Sequence, residues 1–146
     1  MKGRVKITKI QLDDKPIEEY TFLGIVSTEA DYKLSQSLNK KLRIALKNIT
    51  PVQVTGVTGS INNFSRFSYT SGHPDVTYNL ISNKSDKDYI LKKLKNIDYF
   101  FQVHSIDNEY DVEQLTSTLR EIERITAVFR LDPRKINDKN LLYLDL

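Results

Sequence analysis

The side chains with the clearest potential for chemistry in this chain are its two histidines, His73 and His104. Neither belongs to a zinc-ligand spacing such as His-x-x-x-His or His-Glu-x-x-His. The chain contains no cysteine, which excludes thiolate metal ligands, disulfides and cysteine nucleophiles. The sequence therefore predicts no metal site.

Motifs for nucleophilic catalysis and phosphate binding are equally weak. The serines do not form the Gly-x-Ser-x-Gly turn that exposes the nucleophile of many hydrolases. Residues 56–60, Gly-Val-Thr-Gly-Ser, resemble part of a phosphate-binding loop, but the Gly-Lys-Ser/Thr ending is absent and no helical pattern follows. We therefore expect no catalytic residue and no cofactor, and the sequence favours a protein that is not an enzyme.

Aromatic and basic side chains suggest a different kind of site. Arg66, Phe67 and Tyr69 lie in one predicted strand, and residues 99–101, Tyr-Phe-Phe, lie in another. Aromatic rings beside a cation on a sheet surface are typical of proteins that bind single-stranded RNA. The alternative is that one aromatic face packs against helices, since alternation turns every second side chain of a strand inward. The net charge of +3 is too small to drive strong phosphate binding.

Apolar patterns divide the chain into the elements that must position these side chains. Residues 20–26 are a continuous apolar and β-branched run, which predicts a central strand covered on both faces. Leucines at i, i+4 spacing predict a helix over residues 29–43, with Thr28 and Asp31 as a capping box. A second apolar stripe predicts a helix over residues 109–124. Further strands are predicted at residues 2–12, 97–106 and 126–131, and a β-hairpin at 64–82.

The remaining segments give the fold class. Residues 48–63 are rich in Gly and Thr and predict a long loop or irregular extended segment, and residues 84–95 predict a connector with one or two helical turns. The order of elements predicts an α+β two-layer sandwich, with a mainly antiparallel sheet and two helices on one face. A ferredoxin-like topology with an added N-terminal strand fits this order. We expect a single domain over residues 1–132, followed by a C-terminal tail over residues 133–146.

The distribution of charged and apolar residues indicates where in the cell the protein is located. Charged residues recur from Lys2 to Lys6, where a signal peptide would need an apolar run. The longest uncharged stretch, residues 48–65, is too polar to span a membrane. The sequence thus predicts a cytoplasmic protein with no membrane partner.

Residues 97–99, Ile-Asp-Tyr, resemble the end of the motif that names the bacterial IPExxxVDY family of small proteins. Leu91-Lys92-Lys93 stands where that family has Ile-Pro-Glu. Residues 22–25, 31–34 and 38–40 are similar to the family's strand-then-helix opening, so the resemblance covers most of residues 20–131. It implies a bacterial cytoplasmic protein without an established activity, and it transfers no catalytic residue. The matching polar positions are Asp31, Tyr32, Asn39, Asp98 and Tyr99.

Three functions follow as hypotheses. The leading one is a non-enzymatic module that binds a protein partner through its hairpin and sheet edge, or a second copy of itself through an edge strand or the last six residues. The alternative is an RNA-binding accessory module that uses Arg66 and Tyr69. An enzyme would instead need Asp31, Tyr32 and Asp98 to converge in a pocket. The competing interpretation of the polar positions is capping, hydrogen bonding and burial within the fold.

Overall fold

A computed structural model describes residues 19–72, 75–86, 88–105 and 111–144. The predicted strand at residues 2–12 and the turn histidine His73 lie outside these ranges. Within these ranges the chain forms two α-helices and eight strands: β1 Glu19–Val26, α1 Asp31–Leu42, β2 Lys47–Thr55, β3 Ile61–Gly72, β4 Asp75–Ser82, β5 Lys84–Ser85, β6 Asp88–Tyr89, β7 Tyr99–Ser105, α2 Val112–Arg120 and β8 Ala127–Arg130. Short 3-10 helices occupy Lys92–Leu94, Pro133–Lys135 and Lys139–Leu144.

Six of the strands form one antiparallel sheet in the order β2-β3-β4-β7-β1-β8. The predicted α+β class is therefore confirmed. Helix α2 connects β7 and β8, which lie on either side of β1, whereas α1 follows β1 and leads into β2 at the far edge of the sheet. With the β2–β3 hairpin set aside, α1 connects β1 to β4, which lie on either side of β7. The four strands β8-β1-β7-β4 thus have the order of a ferredoxin-like sheet built from two split strand–helix–strand units. The additional strands within the described ranges are β2 and β3, which extend the sheet beyond β4.

The helices cover one face of the sheet. Leu23, Phe101, Leu80 and Phe67 are paired across four neighbouring strands and belong to one buried cluster. Leucines from α1 and α2 pack onto this cluster, as their spacing along the sequence predicted: Leu34, Leu38, Leu115 and Leu119. The main core therefore lies between the sheet and the two helices.

The opposite face is covered by chain without α-helix. A second buried cluster contains Phe22 and Phe100 of the central strands, together with Leu144 near the C-terminus. The side chain of Gln102, buried on the same face, donates from Nε2 to the Leu144 carbonyl at 2.7 Å. The apolar tail thus packs on its own sheet over residues 141–144.

The structure corrects the prediction for residues 48–63. Most of them belong to the hairpin of β2 and β3, which pairs Val52 with Phe64 and Thr55 with Ile61. The hairpin buries Val52, Val54 and Phe64 against the second cluster. A register shift occurs between Ile49 and Val52, around Pro51, so β2 is an irregular edge strand. Thr-rich sequence with few large side chains suggested a loop, but pairing with β3 makes it a strand.

Residues at the start of each helix determine where the helix begins, and the structure corrects the prediction for both helices. Helix α2 begins at Val112, with Asp111 as its N-cap, whose carboxylate accepts a hydrogen bond from Gln114 N at 3.0 Å. It ends at Arg120, four residues before the predicted end. The predicted capping box at α1 is wrong, because Ala30 is the N-cap and makes no side-chain cap bond. Instead the Asp31 carboxylate accepts from the adjacent Tyr32 N at 2.7 Å.

The connector between β4 and β7 is organised by a buried amide. Asn83 donates from Nδ2 to the carbonyls of Leu94 and Ile97, at 3.0 and 2.9 Å, and accepts from Leu91 N at 2.9 Å. These bonds replace the regular ladder that ends at Ser82 and hold the connector against the sheet. The predicted one or two helical turns are reduced to a single 3-10 turn, Lys92–Leu94.

Candidate functional site

The Ile-Asp-Tyr triplet at residues 97–99 makes contacts that stabilise the fold. The Asp98 carboxylate accepts a hydrogen bond from Ser27 N at 2.8 Å and forms an ion pair with Lys84 Nζ at 2.5 Å. The hydrogen bond to Asp98 raises the pKa of Lys84 above its ordinary value. Asp98 therefore connects the end of β1 to the start of the connector, although the three residues lie far apart in sequence.

Tyr99 contacts the same region from the face of the sheet that the helices cover. Its hydroxyl donates to the Glu29 carbonyl at 2.5 Å, at the loop that leads into α1. Burial raises the pKa of Tyr99 to about 12, and nearby carboxylates act in the same direction, in the order Asp31, Asp98 and Glu29. Asp31, Asp98 and Tyr99 thus lie close enough to interact, but the hydroxyl already has a backbone acceptor.

The other matching positions also contact the backbone of this chain. Asn39 donates from Nδ2 to the Leu46 carbonyl at 3.2 Å and accepts from Leu46 N at 2.7 Å, which holds the turn between α1 and β2. Tyr32 is 54% exposed on the first turn of α1. None of these residues lines a cavity described below.

Arg66 and Tyr69 are not brought together. Tyr69 pairs with Tyr78, and their rings stack at 6.2 Å on the helix side of the sheet. Arg66 pairs with Ile81 on the opposite face, where its Nε donates to the Thr50 carbonyl at 3.1 Å. Phe67 and the rings of residues 99–101 are buried. The aromatic and basic surface expected for RNA binding is therefore divided between two faces.

A large concave surface lies elsewhere, where β1 extends past the end of β8. It is a groove of about 1010 Å³ between the first half of β1, the end of β8 and the tail. Apolar side chains contribute much of its lining: Tyr20, Phe22, Leu131, Pro133, Leu141 and Leu142. Tyr20 is 45% exposed and Leu142 is 69% exposed, although both are large and apolar. We take this groove as the candidate functional site.

Charged residues line one side of the groove. Arg134 is neutralised by Asp132, which it contacts through Nε at 3.1 Å and Nη2 at 3.2 Å. This pair holds the pKa of Asp132 below its ordinary value. Arg130 also lines the groove, and no carboxylate of the described residues lies within ion-pair distance of it. The groove therefore combines apolar surface with one cation that has no counterion in this part of the chain.

Sequence analysis did not select the groove residues. They come from strand ends and the tail, and each is unremarkable in its own segment. The one sequence signal is the apolar run of the last six residues, which is a candidate surface for contact with a second copy of the chain.

Comparisons with known proteins add no identification. No protein-family model matches the sequence, and a search of the curated proteins found no match. Within the described ranges, no three His, Asp or Glu side chains are grouped so as to hold a metal ion. The described helices are too short or too polar to cross a bilayer.

Proposed function

We propose that this protein is an interaction module that binds an extended segment of a partner protein in the groove beside β1. The observation that carries the proposal is the groove itself: a volume of about 1010 Å³ with exposed Tyr20 and Leu142 in its lining. Exposed apolar surface of this kind marks sites of macromolecular contact. An extended segment suits a long open groove better than a small molecule does.

Charge complementarity defines the chemistry of the partner segment. Because Asp132 neutralises Arg134, Arg130 supplies the net positive charge of the groove. We propose a segment with two or three apolar side chains and one Asp or Glu placed to reach Arg130. The apolar contacts supply affinity, and the ion pair fixes the direction in which the segment lies.

A protein partner is favoured over RNA by the placement of the cations. Stacking platforms for RNA need aromatic rings and several basic groups on one exposed surface. Here Arg66 and Tyr69 lie on opposite faces, and the groove has one cation in excess. RNA binding remains the competing outcome of the experiment.

The test is a peptide-display selection on the full chain, followed by affinity measurement for enriched peptides. We expect enriched sequences to share apolar positions and an acidic residue. Leu142→Glu and Arg130→Glu should each weaken binding by about tenfold or more. Val57→Glu is the matched control, because Val57 is 98% exposed at the tip of the β2–β3 hairpin and does not line the groove.

Four outcomes contradict the proposal. Enrichment of no common sequence excludes a peptide site, and loss of binding with Val57→Glu alone moves the site to the hairpin. If light scattering shows a dimer that Leu142→Glu dissociates, a second copy of the chain occupies the groove. An RNA oligonucleotide that binds more tightly than any peptide, with a steep salt dependence, would establish the RNA alternative.

We also propose kinship with the IPExxxVDY family, supported by the Ile-Asp-Tyr triplet at residues 97–99. In this chain Asp98 and Tyr99 contact Ser27 and the Glu29 carbonyl. The proposed kinship therefore rests on residues with a role in the fold, and it carries no activity.

A further inference from the structure

A second cavity lies on the same face of the sheet, on the other side of Tyr20 from the groove. It is a cleft of about 110 Å³ between β3, β4, β7 and the tail. Its polar lining includes Arg66, Asn79, Gln102, His104 and Tyr143. Tyr20, whose ring stacks on His104 at 4.3 Å, lines both the groove and the cleft.

The chemistry of the cleft is that of a site for an anion. Its lining supplies a permanent cation, two amides, an imidazole, a threonine hydroxyl and two phenols, and no described residue of the lining carries a carboxyl group. The guanidinium of Arg66 is held from one side, by the bond from Nε to the Thr50 carbonyl at 3.1 Å. No carboxylate of the described residues lies within ion-pair distance of Arg66.

The floor of the cleft is also held in a fixed geometry. Gln102 is only 5% exposed, and its Nε2 is fixed by the bond to the Leu144 carbonyl at 2.7 Å. That bond joins the floor of the cleft, on β7, to the tail that forms its wall. A buried amide held in this way keeps one orientation, which lowers the entropy lost when a ligand binds, and only its second Nε2–H can donate to an anion.

We propose that this cleft binds a carboxylate group, with Arg66 as its cation. The planar guanidinium matches a carboxylate through two parallel N–H bonds, and Asn79 and Tyr143 can donate further hydrogen bonds to the second oxygen. A volume of about 110 Å³ equals that of roughly four water molecules. It accommodates the end of a carboxylate compound but not a nucleotide, and a single cation suits a monoanion better than a phosphate dianion. The inference does not depend on a partner segment in the groove.

The experiment is an NMR titration of the full chain with sodium acetate, and with sodium phosphate and sodium chloride at matched ionic strength. We expect saturable shifts at Gln102 and His104 with acetate and none with chloride. Arg66→Gln should weaken acetate binding by about tenfold or more, and Arg66→Lys should restore part of it. Lys33→Gln, which removes an exposed cation on α1 that lines neither the groove nor the cleft, should leave acetate binding unchanged.

A second variant tests whether Arg66→Gln acts only by disturbing the β2 bulge, where Arg66 bonds the Thr50 carbonyl. Asn79→Leu fills the cleft while keeping the Arg66–Thr50 contact, and it should also abolish acetate binding. Shifts that do not saturate, or equal affinity in Arg66→Gln and the parent protein, would overturn the proposal. Phosphate binding as tight as acetate binding would overturn the choice of a carboxylate.

A comparison of two further compounds separates the sources of the carboxylate. If acetate binds and N-acetylalanine does not, the ligand is a free small carboxylate. If N-acetylalanine binds and its amide does not, the ligand is a carboxylate at the end of a chain, such as a peptide C-terminus. Either result supports the site, whereas binding of the amide would contradict it.

Discussion

The side chain of Ile97 lies directly over Gly24, so closely that a Cβ on Gly24 would come within 2.9 Å of Ile97 Cδ1. Leu131 Cδ1 would lie at 3.1 Å from the same position. The glycine thus allows the connector and the end of β8 to pack against the centre of the sheet. We predict that Gly24→Ala lowers the free energy of unfolding by about 1–2 kcal/mol through overpacking, measured by urea denaturation.

A double-mutant cycle tests the cause. Ile97→Val removes the Cδ1 atom and alone should destabilise by about 1 kcal/mol. In the Gly24→Ala background it should be less destabilising, since it relieves the close contact. Strict additivity of the two changes would show that Ile97 is not what restricts residue 24.

The buried hydroxyl of Tyr99 should titrate late and affect stability at high pH. Its pKa is raised to about 12 in the folded chain, against about 10 when unfolded. A raised pKa means that the folded state favours the neutral phenol, so this contribution is complete below pH 10 and is lost as the pH rises through 12. Absorbance of phenolate should show one of the eight tyrosines ionising last, and Tyr99→Phe should remove that step.

Tyr99→Phe should also lower the free energy of unfolding at pH 7 by about 1 kcal/mol, because the Glu29 carbonyl loses its donor. Tyr32→Phe is the control, since Tyr32 is more than half exposed and should change stability by less than about 0.5 kcal/mol. Equal effects of the two substitutions would contradict the role assigned to the Tyr99 hydroxyl.

The two partners of Asp98 should differ in importance. Asp98→Ala leaves the Ser27 amide without its acceptor and should destabilise by about 2 kcal/mol. Lys84→Ala removes only a partly exposed ion pair and should cost less than about 1 kcal/mol. Thermal unfolding of both variants is sufficient, and a larger loss for Lys84→Ala would show that the ion pair outweighs the backbone bond.

Asn39 should prove to be a stability residue rather than a binding residue. Asn39→Ala removes both bonds to the Leu46 backbone and should destabilise by about 2 kcal/mol. Asn39→Asp keeps the acceptor for Leu46 N and should lose less. If Asn39→Ala unfolds like the parent protein in denaturant, the turn does not depend on this side chain.

Two substitutions in the tail distinguish packing of the tail on the sheet of the same chain from packing on a second copy of the chain. Leu144→Ala should destabilise by about 2–3 kcal/mol at any protein concentration, because Leu144 is buried in the second cluster. Leu142→Ala should have little effect on stability, since Leu142 is mostly exposed. A concentration-dependent loss in Leu144→Ala would instead indicate contact with a second copy.

Much of the architecture could be predicted because it depends on local periodicity. The run at residues 20–26 became the central strand β1, the i, i+4 leucines became α1, and the hairpin at 64–82 became β3 and β4. Alternation along β3 had already separated Arg66 from Tyr69, since an even-numbered and an odd-numbered residue of one strand face opposite sides. A shared RNA surface would need Arg66 and Tyr69 on one face, which this alternation does not allow.

Contacts between segments distant in sequence determined the features that local sequence patterns did not predict. Residues 48–55 have little strand signal of their own and form β2 only because β3 lies beside them. Asn83 and Asp98 looked like ordinary polar residues of a connector, yet each satisfies backbone groups distant in sequence. Such roles depend on which backbone N–H and C=O groups outside the regular ladder the fold brings close to these side chains. A local sequence pattern contains no information about those groups.

By itself, the sequence of this protein determined the α+β class, the identity of the main strands and helices, and the absence of cysteine chemistry. Those properties follow from composition and from periodicities of two and 3.6 residues. The tertiary structure alone decided where the cavities lie, because β1, β8 and the tail meet at the groove, and β3, β4, β7 and the tail meet at the cleft. A cavity is the space left between segments distant in sequence, so its shape and its charges exist only once the chain has folded.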